Sequence, residues 1–294
     1  MTASPHRGPV REAHPDVRVI VHGRTLGVEV PNPDDRVAVA AILRGFPAPP
    51  EGAAAEDAYA VRRAGPGRWT MHAHGVITHH ASTLEGTLLA LEWQLVTDLL
   101  ARTPDRFHLH GAALADPSGR ATVLVLGDSG VGKTTLTLSL MTLGFRPHTD
   151  DVVLIDANQL TPITFPRAFH ADEATRALVT ALPHDPAWEV PGMPPGYFLP
   201  SSWAGAASPV GAIVFPKAHN HARPLLVGLP IAEAATALVG FSGTLETSPA
   251  LALKTTARLT ASAPCYALYG GPLAATAELV ATTVARHLEA RGEP

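Results

Sequence analysis

The feature that most constrains this chain is a glycine-rich segment between a strand pattern and a helix pattern. Residues 127–134 have the sequence GDSGVGKT, which fits G-x-x-x-x-G-K-[ST] without a gap. The apolar run VLVL precedes this segment, and TLTLSLMTLG follows it. Glycines let backbone amides converge on one point, and the start of a helix adds its dipole, so such a loop holds a phosphate chain. The sequence therefore predicts a phosphate-binding loop within an α/β fold.

The loop assigns roles to individual residues. Lys133 is expected to reach the β- and γ-phosphates of a nucleotide, and the Thr134 hydroxyl to bind Mg²⁺. The residues predicted to bind the nucleotide are Gly127, Asp128, Ser129, Gly130, Val131, Gly132, Lys133, Thr134 and Thr135. The alternative is a glycine turn that binds nothing. The loop does not decide whether the phosphate is transferred, hydrolysed or only sensed, because that depends on a base and an acceptor.

Two adjacent carboxylates stand where the next strand pattern begins. Asp150 and Asp151 follow Thr134 by sixteen and seventeen residues and lead into VVLI. Paired carboxylates at such a place can divide two tasks, because one can hold Mg²⁺ while the other accepts a proton from an attacking hydroxyl. The alternative is an acidic turn, with Arg146 as the neighbouring cation.

Other candidates lie on both sides of the loop in sequence. His110, followed by Gly111, ends a segment just before the strand of the loop and could bring an imidazole to the same sheet edge, where it would orient or tune a carboxylate. A histidine that only satisfies backbone groups is the alternative. Transfer also needs positive charge near the γ-phosphate. The candidate cations are Arg167, Lys217, Lys254 and Arg258. Arg167 is preferred because it follows a strand-like run after the aspartates.

Taken in order, HGAAL, GDSGVGKTTLTLSLMTLGF and HTDDVVLID resemble the kinase core of the HPr kinase/phosphorylase family. The resembling block covers residues 108–156. The resemblance implies a P-loop core akin to phosphoenolpyruvate carboxykinase, with a mixed β-sheet flanked by helices. It also implies ATP and Mg²⁺ as cofactors and transfer of phosphate to a serine hydroxyl, with reverse phosphorolysis known in the family.

The resemblance also implies roles for the site residues. Asp150 becomes the general base with His110 beside it, Asp151 and Thr134 serve the metal, and Lys133 serves the phosphates. The chain departs from the bifunctional enzyme in two respects. Its N-terminal region does not resemble the regulatory domain, and no glycine-rich phosphorylase signature follows Asp151, so HPr itself is not the expected acceptor.

A closer resemblance is to HPr-kinase-like proteins encoded beside bacterial peptide-modification systems, which also have a short N-terminal β region and strands similar to PVGAIVFP and CYALYGG. It implies a hydroxyl acceptor, such as a serine of a precursor peptide or carrier protein. Two other functions stay open. One is a nucleotide-binding regulatory module without turnover, and the other is a phosphatase or phosphorylase that runs the reverse reaction.

The remaining chain is expected to form a flexible tail over 1–15, an N-terminal β region with a long helix over 16–105, and the P-loop core over 106–294. A capping box from Ser82 to Glu85 predicts the start of the long helix. Residues 183–209 are rich in proline and tryptophan without periodicity, which predicts a long loop; a lid and disorder are equal alternatives.

Composition limits the partners. The formal net charge is −4, which disfavours a surface that binds nucleic acid or an anionic membrane. The chain has no run of eighteen apolar residues and no apolar signal region, so we expect a cytoplasmic protein. Its one cysteine, Cys265, excludes an internal disulfide, and its 15 histidines match no zinc spacing. The family often forms assemblies, but no stripe in this sequence specifies a homo-oligomer.

Overall fold

The chain divides into two compact units in a computed structural model that describes residues 16–180, 192, 196–217 and 221–290. One unit comprises Met1–Ala40 with Pro47–Gln94, and the other comprises Ala41–Phe46 with Leu95–Pro294. The division falls within a helix, whereas the sequence-based boundary is placed at residue 105. The predicted tail over 1–15 lies outside the described residues. No helix in the described ranges has both the length and the apolar character of a membrane span.

The first unit contains a five-stranded sheet in which the strands follow their order in the chain. Its strands are β1 (Val17–Val21), β2 (Arg24–Glu29), β3 (Asp57–Gly65), β4 (Arg68–Ala73) and β5 (Val76–Ala81), and α1 (Pro33–Ile42) lies between β2 and β3 in the chain. Strands β1 and β2 form a hairpin of the predicted N-terminal β region, because they pair antiparallel across a turn in which Gly23 has φ +79°. Neither α1 nor its position was predicted from the sequence.

The long helix predicted after Ser82 is α2 (Leu84–Arg102). Its apolar stripe is buried at Leu88, Leu91, Leu95 and Leu99. The predicted capping box is wrong by one residue. Because the helix begins at Leu84, the cap is Thr83, whose Oγ1 accepts a hydrogen bond from the Gly86 N–H at 3.1 Å.

The second unit is built on a mixed eight-stranded sheet, which confirms the mixed α/β class. Its main path runs β10-β9-β6-β7-β13-β15-β14, and β8 pairs with β6. The strands are β6 (Phe107–Ala115), β7 (Thr122–Leu126), β8 (Arg146–Thr149), β9 (Val152–Asp156), β10 (Thr161–Ile163), β13 (Val210–Lys217), β14 (Leu225–Gly228) and β15 (Cys265–Tyr269). A separate two-stranded sheet pairs β11 (Phe169–His170) with β12 (Tyr197–Phe198).

Helices supply apolar side chains to both faces of the eight-stranded sheet. The helices are α3 (Lys133–Met141), α4 (Glu173–Thr180), α5 (Ile231–Gly240), α6 (Thr244–Thr247), α7 (Pro249–Ser262) and α8 (Leu273–Ala290). Leu238 of α5 and Leu259 of α7 join one buried cluster with the sheet, and Leu140 of α3 and Val280 of α8 join another. Strand β14 and helix α7 were not predicted, although Ser248 followed by Pro249 is a pattern typical of a helix start.

The strand directions bring several loop ends to one edge of this sheet. Strands β7, β13 and β15 are parallel, so they end at the same edge. The antiparallel β6 starts there, since Gly111 pairs with Leu126, and β9 also begins there, since Val152 pairs with His110. The loop after β7 therefore lies between the start of β9 on one side and the end of β13 on the other.

The predicted long loop over 183–209 falls only partly on described residues. Positions 181–191 and 193–195 lie outside them, and the described part from 196 onward contains β12. The expectation of an unstructured segment is therefore wrong at Tyr197–Phe198, because these residues pair antiparallel with β11. The role of a lid stays a prediction.

Candidate functional site

The glycine-rich loop connects β7 to α3 with the backbone bends that its glycines permit. Gly130 has φ +79° and Gly132 has φ +90°, a left-handed region that side chains disfavour. A Cβ at Gly127 would lie 2.9 Å from Cγ2 of Val131, so a larger residue there would have to displace the Val131 side chain. Helix α3 begins directly after Gly132, and the amides of its first turn have no partner inside a helix. The loop thus has the form that suits an anion.

Lys133 folds back on the loop that precedes it. Its Nζ donates hydrogen bonds of 2.9 Å to the carbonyl oxygens of Gly127 and Asp128. Burial lowers the pKa of Lys133, and the charges of Asp151, Asp150 and Asp128 oppose this effect. The ammonium group is therefore held at the mouth of the loop by weak neutral acceptors that an anionic ligand would replace.

Asp150 lies behind the loop and is almost fully buried, with 2% of its surface exposed. Its Oδ2 accepts a hydrogen bond from Oγ1 of Thr134 at 3.1 Å. Its Oδ1 is buried and accepts no hydrogen bond from the described part of the chain. Burial, followed by the charge of Asp151, raises the pKa of Asp150 to about 7, against the opposing effects of Arg167, Thr134 and the Asp151 amide. The site thus holds a carboxyl group with a spare oxygen.

Asp151 has a different environment from its neighbour. Its side chain is 42% exposed and lies 3.5 Å from Nη1 of Arg167, measured from Oδ2. Its backbone has φ +66°, and its carbonyl oxygen lies 3.1 Å from Nδ1 of His110. The structure therefore brings Asp150, Asp151, His110, Lys133 and Thr134 to one place, as the spacing predicts.

Four of these residues, His110, Lys133, Thr134 and Asp151, line a cavity of about 890 Å³, which is within the roughly 300–1,000 Å³ typical of ligand pockets. The loop residues 129–136, His110 and Asp151 form its floor and one end. One further wall is made by His170, Asp172, Thr175 and Leu178, and another by Lys217, His221 and the segment 270–276. Asp150 is not part of the wall, because Thr134 stands in front of it.

The four candidate cations have different positions. Arg167 reaches Asp151, and Lys217 lies in the cavity wall at the end of β13. Arg258 instead donates hydrogen bonds to the carbonyl oxygens of Ala157 and Asn158, at the end of β9 away from Asp151. Lys254 is exposed on α7 and does not line the cavity. The structure therefore brings only Arg167 and Lys217 to the site.

The wall formed by α4 was not predicted. Thr135 of the loop helix hydrogen-bonds to Thr175 of α4, with 3.1 Å between the hydroxyl oxygens. Asp172 caps α4, because its Oδ1 accepts a hydrogen bond from the Thr175 N–H at 2.7 Å. The sequence does carry a signal for this helix start, since aspartate is a preferred N-cap residue. Its proximity to the loop is decided by the fold.

No protein-family model matches this chain, and no curated protein is significantly similar to it. The case for a function therefore depends on the chemistry of the cavity.

Proposed function

We propose that this protein is a Mg²⁺- and ATP-dependent kinase that transfers the γ-phosphate to a hydroxyl group, most simply a serine of a peptide or carrier protein. The proposed core is the phosphoenolpyruvate carboxykinase-like P-loop core of HPr kinase relatives. One observation carries the proposal: Thr134, at the start of the loop helix, hydrogen-bonds to a buried carboxylate that has an unused oxygen. A glycine turn without a ligand has no need of such a carboxylate.

The phosphate chain is proposed to lie along the loop. The first turn of α3 lines the cavity, and backbone amides at the start of a helix suit phosphate oxygens. Lys133 would give up its hydrogen bonds to the carbonyl oxygens of Gly127 and Asp128 and bind β- and γ-phosphate oxygens instead. The phosphate oxygens are charged and are therefore the stronger acceptors.

The residues present fit a magnesium ion. Oxygen ligands of Thr134, Asp150 and Asp151 are the kind that Mg²⁺ prefers, and the buried Oδ1 of Asp150 has the free lone pairs that a cation needs. Among the described residues no three His, Cys, Asp or Glu side chains are grouped to hold a metal. This also suits Mg²⁺, which takes one or two carboxylates and completes its shell with phosphates and water. When bound, Mg²⁺ neutralises charge on the transferred phosphate.

The two carboxylates divide the remaining work. The resemblance assigns the base to Asp150 and the metal to Asp151. The positions favour the exchanged assignment, because Asp150 is behind Thr134 whereas Asp151 faces the cavity. In either case the acceptor oxygen forms a bond to the γ-phosphorus as its proton passes to a carboxylate. The bond from the γ-phosphorus to the bridging oxygen breaks, and ADP leaves with its charge held by Lys133.

The test is a titration of ATP and ADP, with and without Mg²⁺, against the wild type, Lys133→Ala and Lys254→Ala. Lys254→Ala is the matched control, since it removes the same charge from an exposed helix outside the cavity. We expect Mg²⁺-dependent binding that is lost in Lys133→Ala and kept in the control. Absence of nucleotide binding in the wild type would contradict the proposal.

Product analysis of the same samples separates the alternatives. Transfer to serine-containing peptides but not to their alanine counterparts supports the kinase. Release of orthophosphate or pyrophosphate without acceptor modification supports a phosphatase or phosphorylase. Binding without any product supports a regulatory module.

A further inference from the structure

His110 and Gly111 contact the backbone of Asp151 rather than either carboxylate. Nδ1 of His110 lies 3.1 Å from the carbonyl oxygen of Asp151, and the Gly111 N–H donates to the same oxygen at 3.2 Å. A carbonyl oxygen can only accept a hydrogen bond, so Nδ1 carries the proton. We call these two hydrogen bonds the carbonyl clamp. In the clamp, His110 is a hydrogen-bond donor.

The clamped residue has an unfavourable backbone conformation. In the described part of the chain, four residues other than glycine have positive φ: His22, His74, Asp151 and Leu160. Only Asp151 of these lies in the cavity wall. Such conformations persist where the surroundings hold them, and they cluster at functional sites. Two features hold the backbone here: the clamp, and a hydrogen bond of 2.9 Å that the Val152 N–H donates across Asp151 to the carbonyl oxygen of Asp150.

The conformation of Asp151 sets the direction of both carboxylates. Asp150 points to Thr134 and is 2% exposed, whereas the adjacent Asp151 side chain is 42% exposed and reaches Arg167. If the backbone between them relaxed, neither carboxylate would be kept at its present place. The clamp therefore separates the two acidic groups of the site.

The clamp is itself fixed by the end of α5 and by the sheet. The His110 N–H donates to the carbonyl oxygen of Phe241 at 2.9 Å, which anchors the backbone behind the ring. A Cβ at Gly111 would collide with the carbonyl oxygen of Val125, so only glycine lets β6 approach β7 this closely. The His-Gly pair thus has a physical explanation in which each residue contributes one donor.

We propose that His110 is a positioning residue, which holds Asp151 in its left-handed conformation through Nδ1–H and so keeps the two carboxylates apart. It is not the group that carries the acceptor proton. This inference depends on the proposed function only for its activity measurement.

The first test is a double-mutant cycle of thermal unfolding with His110→Ala, Asp151→Gly and the double variant. We expect His110→Ala to lower Tm by roughly 2–4 °C in the wild-type background. In the Asp151→Gly background the loss should be less than half as large, because glycine adopts positive φ without strain. Equal losses in both backgrounds would overturn the proposal.

The second test compares His110→Asn with His110→Gln. The asparagine amide nitrogen is bonded to Cγ, as Nδ1 is, so it can donate to the Asp151 carbonyl; the glutamine amide nitrogen is one bond further out. We expect His110→Asn to keep the wild-type Tm and rate of ADP release, and His110→Gln and His110→Ala to lose roughly tenfold in rate.

A His110→Asn variant as slow as the other two would show that the ring itself is needed for the chemistry, and the proposal would fall. A wild type that binds no nucleotide contradicts the proposed function instead. In that case the unfolding cycle still decides whether the clamp exists.

Discussion

Two buried aspartates, one in each unit, show how differently a protein can treat the same group. Asp35 in the first unit is 1% exposed, and both of its oxygens are used. Arg63 donates to Oδ1 from Nη2 at 2.7 Å and to Oδ2 from Nε at 2.9 Å, and Trp69 donates to Oδ2 from Nε1 at 3.2 Å. Asp150 in the second unit is 2% exposed and has an unused oxygen.

The comparison teaches that burial alone does not mark a functional carboxylate. Asp35 is compensated by a guanidinium fork and an indole, which is what a structural role requires. Asp150 has a buried oxygen that accepts no hydrogen bond from the described part of the chain, which costs stability and leaves that oxygen available to a ligand. Such incomplete compensation is expected where a site is built for a cation or a substrate.

The largest expected difference between the two aspartates is in their effect on the rate of phosphate transfer. Asp150→Asn should keep the shape of the site and lower phosphate transfer at least about 100-fold, since it removes the charge that the reaction uses. Asp35→Asn should leave the rate per folded molecule unchanged. Initial rates at saturating ATP, corrected for the folded fraction, test this pair. Equal losses in both variants would mean that Asp150 has no special role.

Asp150→Asn should also change how the free energy of unfolding depends on pH. In the wild type this dependence combines the effects of His148 and Asp150. Burial lowers the pKa of His148 from 6.5 to about 4, so the unfolded chain binds an extra proton in this window. Stability contributed by neutral His148 is complete above pH 6.5 and falls by about 3 kcal/mol as the pH drops through 4.

The contribution of Asp150 to stability changes with pH in the opposite direction to that of His148. Its pKa is raised from 3.8 to about 7, so the folded chain binds the extra proton and stability falls as the pH rises through this range. In the wild type the two effects oppose each other. In Asp150→Asn the free energy of unfolding should rise more steeply from pH 4 to 7, and the variant should be more stable than the wild type at pH 8. Parallel curves from urea unfolding would refute this.

A third prediction concerns Asp35, the aspartate whose charge is compensated. Asp35→Ala leaves the Trp69 N–H and the Arg63 fork without their acceptor, and we expect a loss of roughly 2–3 kcal/mol in the free energy of unfolding. Asp150→Ala should cost less or stabilise the protein at pH 8, since it removes an uncompensated charge. Denaturant unfolding of both variants at one pH tests the contrast, and a larger loss at Asp150 would reverse our interpretation.

The smallest effect is expected at the one hydrogen bond that Asp150 accepts from a side chain. Thr134→Val keeps the shape and removes the donor, so we expect a loss of about 1 kcal/mol in stability at pH 8 and a further rise in the pKa of Asp150. Thr134→Ser is the control because it keeps the hydroxyl. If valine and serine variants unfold alike, the hydrogen bond contributes nothing.

Local patterns predicted much of the second unit. The glycine-rich loop, its flanking β7 and α3, and the strands β9 and β13 follow from apolar runs and from glycine positions, which are properties of neighbouring residues. Strand β15 was expected only because the resemblance implies it. The start of α2 shows the limit of such patterns. Ser82 and Thr83 are both good caps, and the fold selects Thr83.

The sequence predicted which residues lie together at the site but not how they are arranged there. The order of His110, the loop and the two aspartates indicated that they share one sheet edge. It did not indicate that His110 contacts a carbonyl 41 residues away, or that Asp150 lies behind Thr134 while Asp151 faces the cavity. Those contacts depend on a left-handed residue after β8 and on the close approach of β6 and β7.

By itself, the sequence determined the glycine-rich loop motif and its setting between a strand and a helix, because that motif depends on residues adjacent in the chain. Only the tertiary structure decided which buried carboxylate is compensated. Arg63 and Trp69 reach Asp35 from 28 and 34 residues away, and no such group reaches Oδ1 of Asp150 within the described ranges. Compensation of a buried charge depends on groups that meet only when the chain has folded, so no local pattern can carry it.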